Sequence, residues 1–119
     1  MNRSRVALGR RGEALATDEL ARHGWAIVAR NWRCAEGEVD IVARRGEAWR
    51  FVEVRTRRGS DLGTPEDSLT PAKQTRMAAV AEAYLTEHGL ERVDWQLMLA
   101  AVEMDHGGRL VRLELVELE

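Results

Sequence analysis

Residues 37–58 read GEVDIVARRGEAWRFVEVRTRR, and the way this stretch pairs with itself decides how the chain folds. Two short apolar runs, Val39–Ala43 and Trp49–Val54, flank Arg-Arg-Gly-Glu, and Gly46-Glu47 has the Gly-X form of a tight type II′ hairpin turn. With those two residues as the loop, Arg45 faces Ala48 and opposed positions sum to 93. A four-residue loop over Arg45–Ala48 gives the same register. Asp40 then stands across from Glu53, and Glu38 across from Arg55. Ile41/Val52 and Val39/Val54 pair on the other face, which is apolar and must be buried. Directly opposed side chains have Cβ atoms about 5 Å apart. Two carboxylates at that separation repel by about 3 kcal/mol at an effective dielectric of about 20. A raised pKa, a neighbouring arginine or a bound cation has to offset this. Two acids on rigid strands suit Mg²⁺, which takes one or two carboxylates and keeps most of its waters. A solvated acidic face balanced by Arg55 is the other reading of the same residues.

The chain has 119 residues, 45% of them hydrophobic and 32% charged, which predicts one soluble globular domain over residues 1–119. No apolar run approaches the roughly 20 residues that span a bilayer, so no membrane association is expected. The basic N-terminus lacks the apolar stretch of a secretory signal. Cys34 is the only cysteine, which leaves neither an intrachain disulfide nor a zinc cluster and points to the cytoplasm. Net charge is −2, but residues 1–60 carry +5 and residues 61–119 carry −7. The basic half is the half that holds the hairpin, so a locally positive surface is expected there.

Val6 to His23 is helical, with Gly24 as its C-terminal cap. Glu13, Ala16 and Leu20 share one stripe, and Gly9 and Gly12 allow close packing on a sheet. Glu13 reads either as an acid favourable to the helix dipole or as a member of the acidic site. Trp25 to Trp32 is a first strand, and the hairpin supplies the second and third. Residues Arg57 to Leu69 show no periodicity and form a loop of a length that is often functional. Thr70-Pro71 opens a second helix with a capping hydroxyl and proline at the first position. Lys73 continues its apolar stripe, where it reaches phosphate or snorkels to solvent. Arg92 to Met104 and Arg109 to Glu117 are the last strands, joined by a turn at Asp105–Gly108, and the final one is an edge. The fold class is therefore α/β (α+β), in the order α-β-β-β-α-β-β, a mixed sheet flanked by helices.

An α-β-β-β-α-β core with an aspartate on the second strand and a Glu-x-Lys-like motif on the third resembles the restriction-endonuclease-like plan. Within that superfamily the chain resembles the small bacterial YraN-like group, whose function is unsettled. The likeness rests on Gly12-Glu13, Asn31-Trp32-Arg33, Gly37-Glu38-Val39-Asp40, Phe51-Val52-Glu53-Val54-Arg55-Thr56-Arg57 and Lys73-Gln74. It implies that Asp40, Glu53 and the Val54 carbonyl hold Mg²⁺ or Mn²⁺ with Glu13 assisting, and that Arg55 stands where the motif has lysine. Arginine stays protonated and cannot serve as a base, although it can stabilise charge on phosphate.

Two functions follow as expectations. One is a metal-dependent endonuclease on DNA phosphodiesters, with branched, resolvase-like or single-stranded substrates in view, catalysed by Glu13, Asp40, Glu53 and Arg55. The other is a nucleic-acid-binding module of the same fold whose catalysis is weak or lost through Arg55. In both, Arg44, Arg45, Arg57, Arg58 and Lys73 contact the nucleic-acid backbone. A homodimer is expected if a junction is cut symmetrically.

Overall fold

The computed structural model describes residues 3–59 and 63–118. Its elements are helix α1 (Arg3–Arg22), strands β1 (Ala26–Cys34), β2 (Gly37–Arg45) and β3 (Ala48–Arg58), a 3₁₀ turn (Pro65–Ser68), helix α2 (Pro71–Glu87), and strands β4 (Asp94–Met104) and β5 (Leu110–Leu118). The order is the predicted α-β-β-β-α-β-β, and the fold is α+β with a restriction-endonuclease-like core. The five strands lie in sequence order in one sheet. All neighbours are antiparallel except β3 and β4, which are parallel. Parallel neighbours need a crossover, and α2 supplies it.

The hairpin register is the one the turn dictates: Arg45 faces Ala48 and Ile41 faces Val52. Gly46 has φ +62° while Glu47 stays at negative φ, the sign pattern of a type II′ turn. One expectation fails, because the sheet has two core faces. On one, Val42, Trp49, Phe51 and Leu97 pack against Val80, Ala81, Tyr84 and Leu85 of α2. On the other, Ile41, Ala43, Val52, Met98 and Ala100 pack against Ala16 and Leu20 of α1. Consequently Val39 and Val54 do not share a face: Val39 belongs to the α2 layer and Val54 borders the α1 layer. Side-chain alternation along β2 breaks between Val39 and Ile41, and along β1 between Ala29 and Trp32. Asn31 lies inside the β1 break with φ +50°, the only positive φ of a non-glycine among the described residues.

Two further contacts position the site. A Cβ on Gly12 would lie 1.9 Å from Thr56 Oγ1, so α1 rests directly on β3 through this glycine, whereas Gly9 has nothing within 4 Å and plays no such part. Thr70 caps α2 by accepting from the Lys73 backbone N–H at 3.1 Å, and Pro71 follows it, as the sequence predicts.

The stretch expected to be a loop is more ordered than anticipated. β3 continues through Arg58, and Thr64 and Asp67 close a capping box around the 3₁₀ turn. Residues 60–62 of that loop lie outside the described residues. Arg112 on β5 ties the turn down, bridging Glu66 at 2.7 Å, Glu114 at 3.0 Å, and Glu103 on β4. β5 is an edge strand with Val111 67% exposed. No helix among the described residues is long and apolar enough to cross a membrane.

Candidate active site

The site lies where the hairpin opens. The β2–β3 ladder runs from Arg45/Ala48 to Ile41/Val52 and stops there. The next bond of the ladder would take the Val54 N–H to Val39. Instead that N–H donates to Asp40 Oδ2 at 2.8 Å. The aspartate has replaced a backbone acceptor, and its carboxylate fills the gap between the parting strands. The N–H and C=O of a strand residue point to the same side, so the Val54 carbonyl faces this gap as well.

Asp40 and Glu53 meet here, as the register requires. Burial pushes the Glu53 carboxyl up to about 8, aided by a hydrogen bond to Asp40 and its charge, against the lowering pull of Arg55. Arg55 Nη2 donates to Glu53 Oε2 at 3.4 Å, a contact that only partly offsets the repulsion. The predicted Glu38–Arg55 pairing does not form. Glu38 lies opposite Arg33 on β1 and pairs with it at 3.3 Å.

Glu13 reaches the same cluster from α1. Its carboxyl is held above the ordinary carboxylate range by burial first, then by the charges of Asp40 and Glu38. With its amide nitrogen turned to the acids, Asn31 donates to Glu13 Oε1 and Glu38 Oε1, each at 3.1 Å. Sequence reasoning gave Asn31 no role beyond its place in a motif. The usable signal was that asparagine tolerates the left-handed region at small cost, which is what this break in β1 demands.

Asp40 and Glu53 form the common wall of two clefts. The larger, about 590 Å³, is lined by Glu13, Arg55, Arg57 and Arg58 and lies beside α1. The smaller, about 230 Å³, is lined by Glu38, Lys73, Arg76 and Met77 and lies beside α2.

The family model described as "Uncharacterised protein family UPF0102" matches residues 12–106, a span that contains every residue of this cluster. The chain belongs to the UPF0102 family. It is 47% identical over 115 residues to the UPF0102 protein of Acidothermus cellulolyticus, covering 97% of this chain and 83% of that one. It is 44% identical to that of Roseiflexus castenholzii, covering 96% and 93%. It is 38% identical to that of Moorella thermoacetica, covering 98% of both.

In this UPF0102 protein the predicted basic residues divide. Arg55, Arg57 and Arg58 line the larger cleft, and Lys73 the smaller. Arg55 Nε and Arg57 Nε are buried without a hydrogen-bond partner among the described residues. Arg58 is committed to the His106 carbonyl at 3.0 and 2.7 Å. Arg44 and Arg45 do not join the site. They sit at the turn end of the hairpin, four and five residues from Asp40, or about 13–16 Å along an extended strand. There the Arg45 Cζ lies 4.3 Å from the Trp25 ring centroid, and Arg45 Nη1 donates to the His23 carbonyl at 2.9 Å. Arg44 covers Trp49 at 5.6 Å and donates to the Gly46 carbonyl at 2.8 Å.

The donor set fits a small hard cation. Among the described residues no three acid, histidine or cysteine side chains converge closely enough to hold a metal by themselves. A cation would therefore rest on Asp40, Glu53, the Val54 carbonyl and water, an all-oxygen set of the kind Mg²⁺ and Mn²⁺ accept. The raised Glu53 pKa comes first from burial and then from Asp40 beside it.

Proposed function

We propose that this protein is a metal-dependent phosphodiesterase acting on nucleic acid, with DNA as the expected substrate. The observation that carries this reading is the meeting of Asp40 and Glu53 where β2 and β3 part, with the Val54 backbone facing the same gap. Asp40, Glu53 and the Val54 carbonyl would hold Mg²⁺ or Mn²⁺, which when bound supplies Lewis acidity toward a phosphate oxygen. The chain's own residues do the rest. Arg57 and Arg55 place cationic groups along the cleft beside the acids, where guanidinium groups can meet a phosphate. Glu13, held by Asn31, keeps a proton more readily than an ordinary glutamate and can exchange it with water in the cleft. The lone Cys34 suits a reducing cytoplasmic setting.

A second reading has one observation in its favour. Arg55 leans on Glu53 at 3.4 Å, so a fixed positive charge occupies the place where a cation would be drawn. On this reading the protein binds nucleic acid without cutting it. Branched DNA and a homodimer through the exposed β5 edge belong to the first reading, since symmetric cutting needs two sites. The deciding experiment is a panel of duplex, single-stranded, nicked and four-way DNA and of RNA, with Mg²⁺ or Mn²⁺, run beside Asp40→Ala protein. Cleavage by the wild type alone supports the phosphodiesterase; binding with no cleavage on any substrate supports the second reading.

A further inference from the structure

Hydrolysis of a phosphodiester by water requires a group that accepts the water's proton. If Asp40 and Glu53 hold a cation, neither is free to do so. The arginines that line the larger cleft cannot, because guanidinium keeps its proton at any working pH. Glu13 lines that larger cleft and not the smaller one, and Glu38 in the smaller one is already paired with Arg33. The smaller cleft offers a different group. Lys73 is the only lysine among the chain's 18 basic residues, and it lines this cleft of about 230 Å³ together with Asp40 and Glu53.

Its placement follows from the helix cap. The Lys73 backbone N–H is fixed by Thr70 Oγ1 at 3.1 Å, which sets the first turn of α2 beside the open end of the hairpin. Four residues on, Met77 lines the same cleft and packs against the α2 core layer, so the stripe holds the helix in this orientation. Glu38, Asp40 and Glu53 share the cleft from β2 and β3, and Arg76 from α2. Among the described residues Lys73 forms no ion pair within 4.0 Å with any of these acids, so its amine is not committed to a carboxylate of the cleft.

We propose that Lys73 is a catalytic residue of this site, holding the attacking water and accepting its proton from the side opposite Arg55. The inference rests on the phosphodiesterase reading. The neutral amine takes one proton from water as the new O–P bond forms. The bond from phosphorus to the leaving oxygen breaks with its electron pair, and that oxygen takes a proton from solvent. Arg55 then needs no proton chemistry: it balances charge, and the amine that a strand lysine would have supplied comes from α2. The unique lysine also gives a probe, because acetylation by an amine-reactive ester can be read at one side chain by peptide mass spectrometry.

The test uses the full chain with Lys73→Met and Lys73→Arg, which spare the backbone cap. With Mn²⁺ and the best substrate of the panel, both variants should cut at least about 100-fold more slowly than wild type, in line with the loss of a general base. Oligonucleotide affinity should change by no more than a few-fold, and thermal unfolding should match wild type. Cleavage retained in Lys73→Arg would overturn the proposal, since charge alone would then suffice, and so would full activity in Lys73→Met. Acetylation of Lys73 in the wild type should slow when Mn²⁺ and oligonucleotide are both present. An unchanged rate would place the amine outside the site and overturn the proposal even if the protein cleaves. A wild type that cleaves nothing, with Lys73 nonetheless protected, would overturn the phosphodiesterase reading and the catalytic role with it, leaving Lys73 as a binding residue.

Discussion

The two ends of the β2–β3 hairpin are built from similar residues and do opposite things. Both are rich in charge, and both begin from the same register. At the turn end the ladder is complete, and the arginines are consumed by the fold. Arg45 and Arg50 lie over the buried Trp25 ring at 4.3 and 5.0 Å, and Arg44 lies over Trp49. Cations stacked on aromatic faces are attracted to the ring and partly desolvated, so they are poorly placed to reach for a ligand. At the open end the ladder stops, Asp40 takes the Val54 N–H, and Arg55 and Arg57 keep unpaired buried nitrogens. At the turn end the arginines rest on rings and backbone carbonyls, and at the open end Arg55 and Arg57 line a cleft together with the acids. Counting arginines therefore says little about where a ligand binds; what matters is which ones the scaffold has already used.

The contrast can be broken by mutation, and the largest expected effect is on cleavage. Asp40→Asn should abolish metal-dependent cutting, whereas Arg44→Ala should leave it within a few-fold of wild type in the same assay. At the turn end the effect should instead be on stability. Trp25→Ala removes a large buried ring and should cost about 3–5 kcal/mol in denaturant unfolding, with its metal affinity, measured where it remains folded, unchanged. Between the two ends, Gly12→Val should cost about 1–3 kcal/mol, because α1 is pushed off β3 where a Cβ would meet Thr56 Oγ1 at 1.9 Å. Pairing it with Thr56→Gly should recover part of the loss.

A smaller effect concerns pH. The Glu53 carboxyl is raised from its ordinary value to about 8, so the folded chain holds a proton that the unfolded chain has released. The contribution is fully present below about pH 4.5 and is lost as pH rises toward 8. Metal-free protein should show a melting temperature that falls across this window, and Glu53→Gln should flatten that fall. Added Mn²⁺ should raise the melting temperature most at the alkaline end, where the carboxylates are ionised.

Much of this was legible in the sequence. The Gly-Glu turn set the register, and the register brought Asp40 to Glu53. Thr70-Pro71 marked the start of α2 and so the place of Lys73. Three things were not legible, each for a physical reason. A period-two pattern assumes unbroken pleating, so it put Val39 with Val54; the left-handed Asn31 and the break in β2 undo that. Pairing counts cannot tell that a ladder has opened, so Glu38 was matched to Arg55 rather than to its β1 neighbour Arg33. The fate of Arg45 depends on Trp25, which lies twenty residues away in sequence and is brought close only by the folded sheet, while Arg44 settles on its cross-strand neighbour Trp49.

The most direct test of the account is calorimetric titration of Mn²⁺ into wild-type, Asp40→Ala and Arg45→Ala protein at pH 8. A single site in the wild type that is lost in Asp40→Ala and kept in Arg45→Ala is the predicted result. Equal binding by wild type and Asp40→Ala, or no binding by the wild type, would contradict the claim that the open end of the hairpin is a cation site.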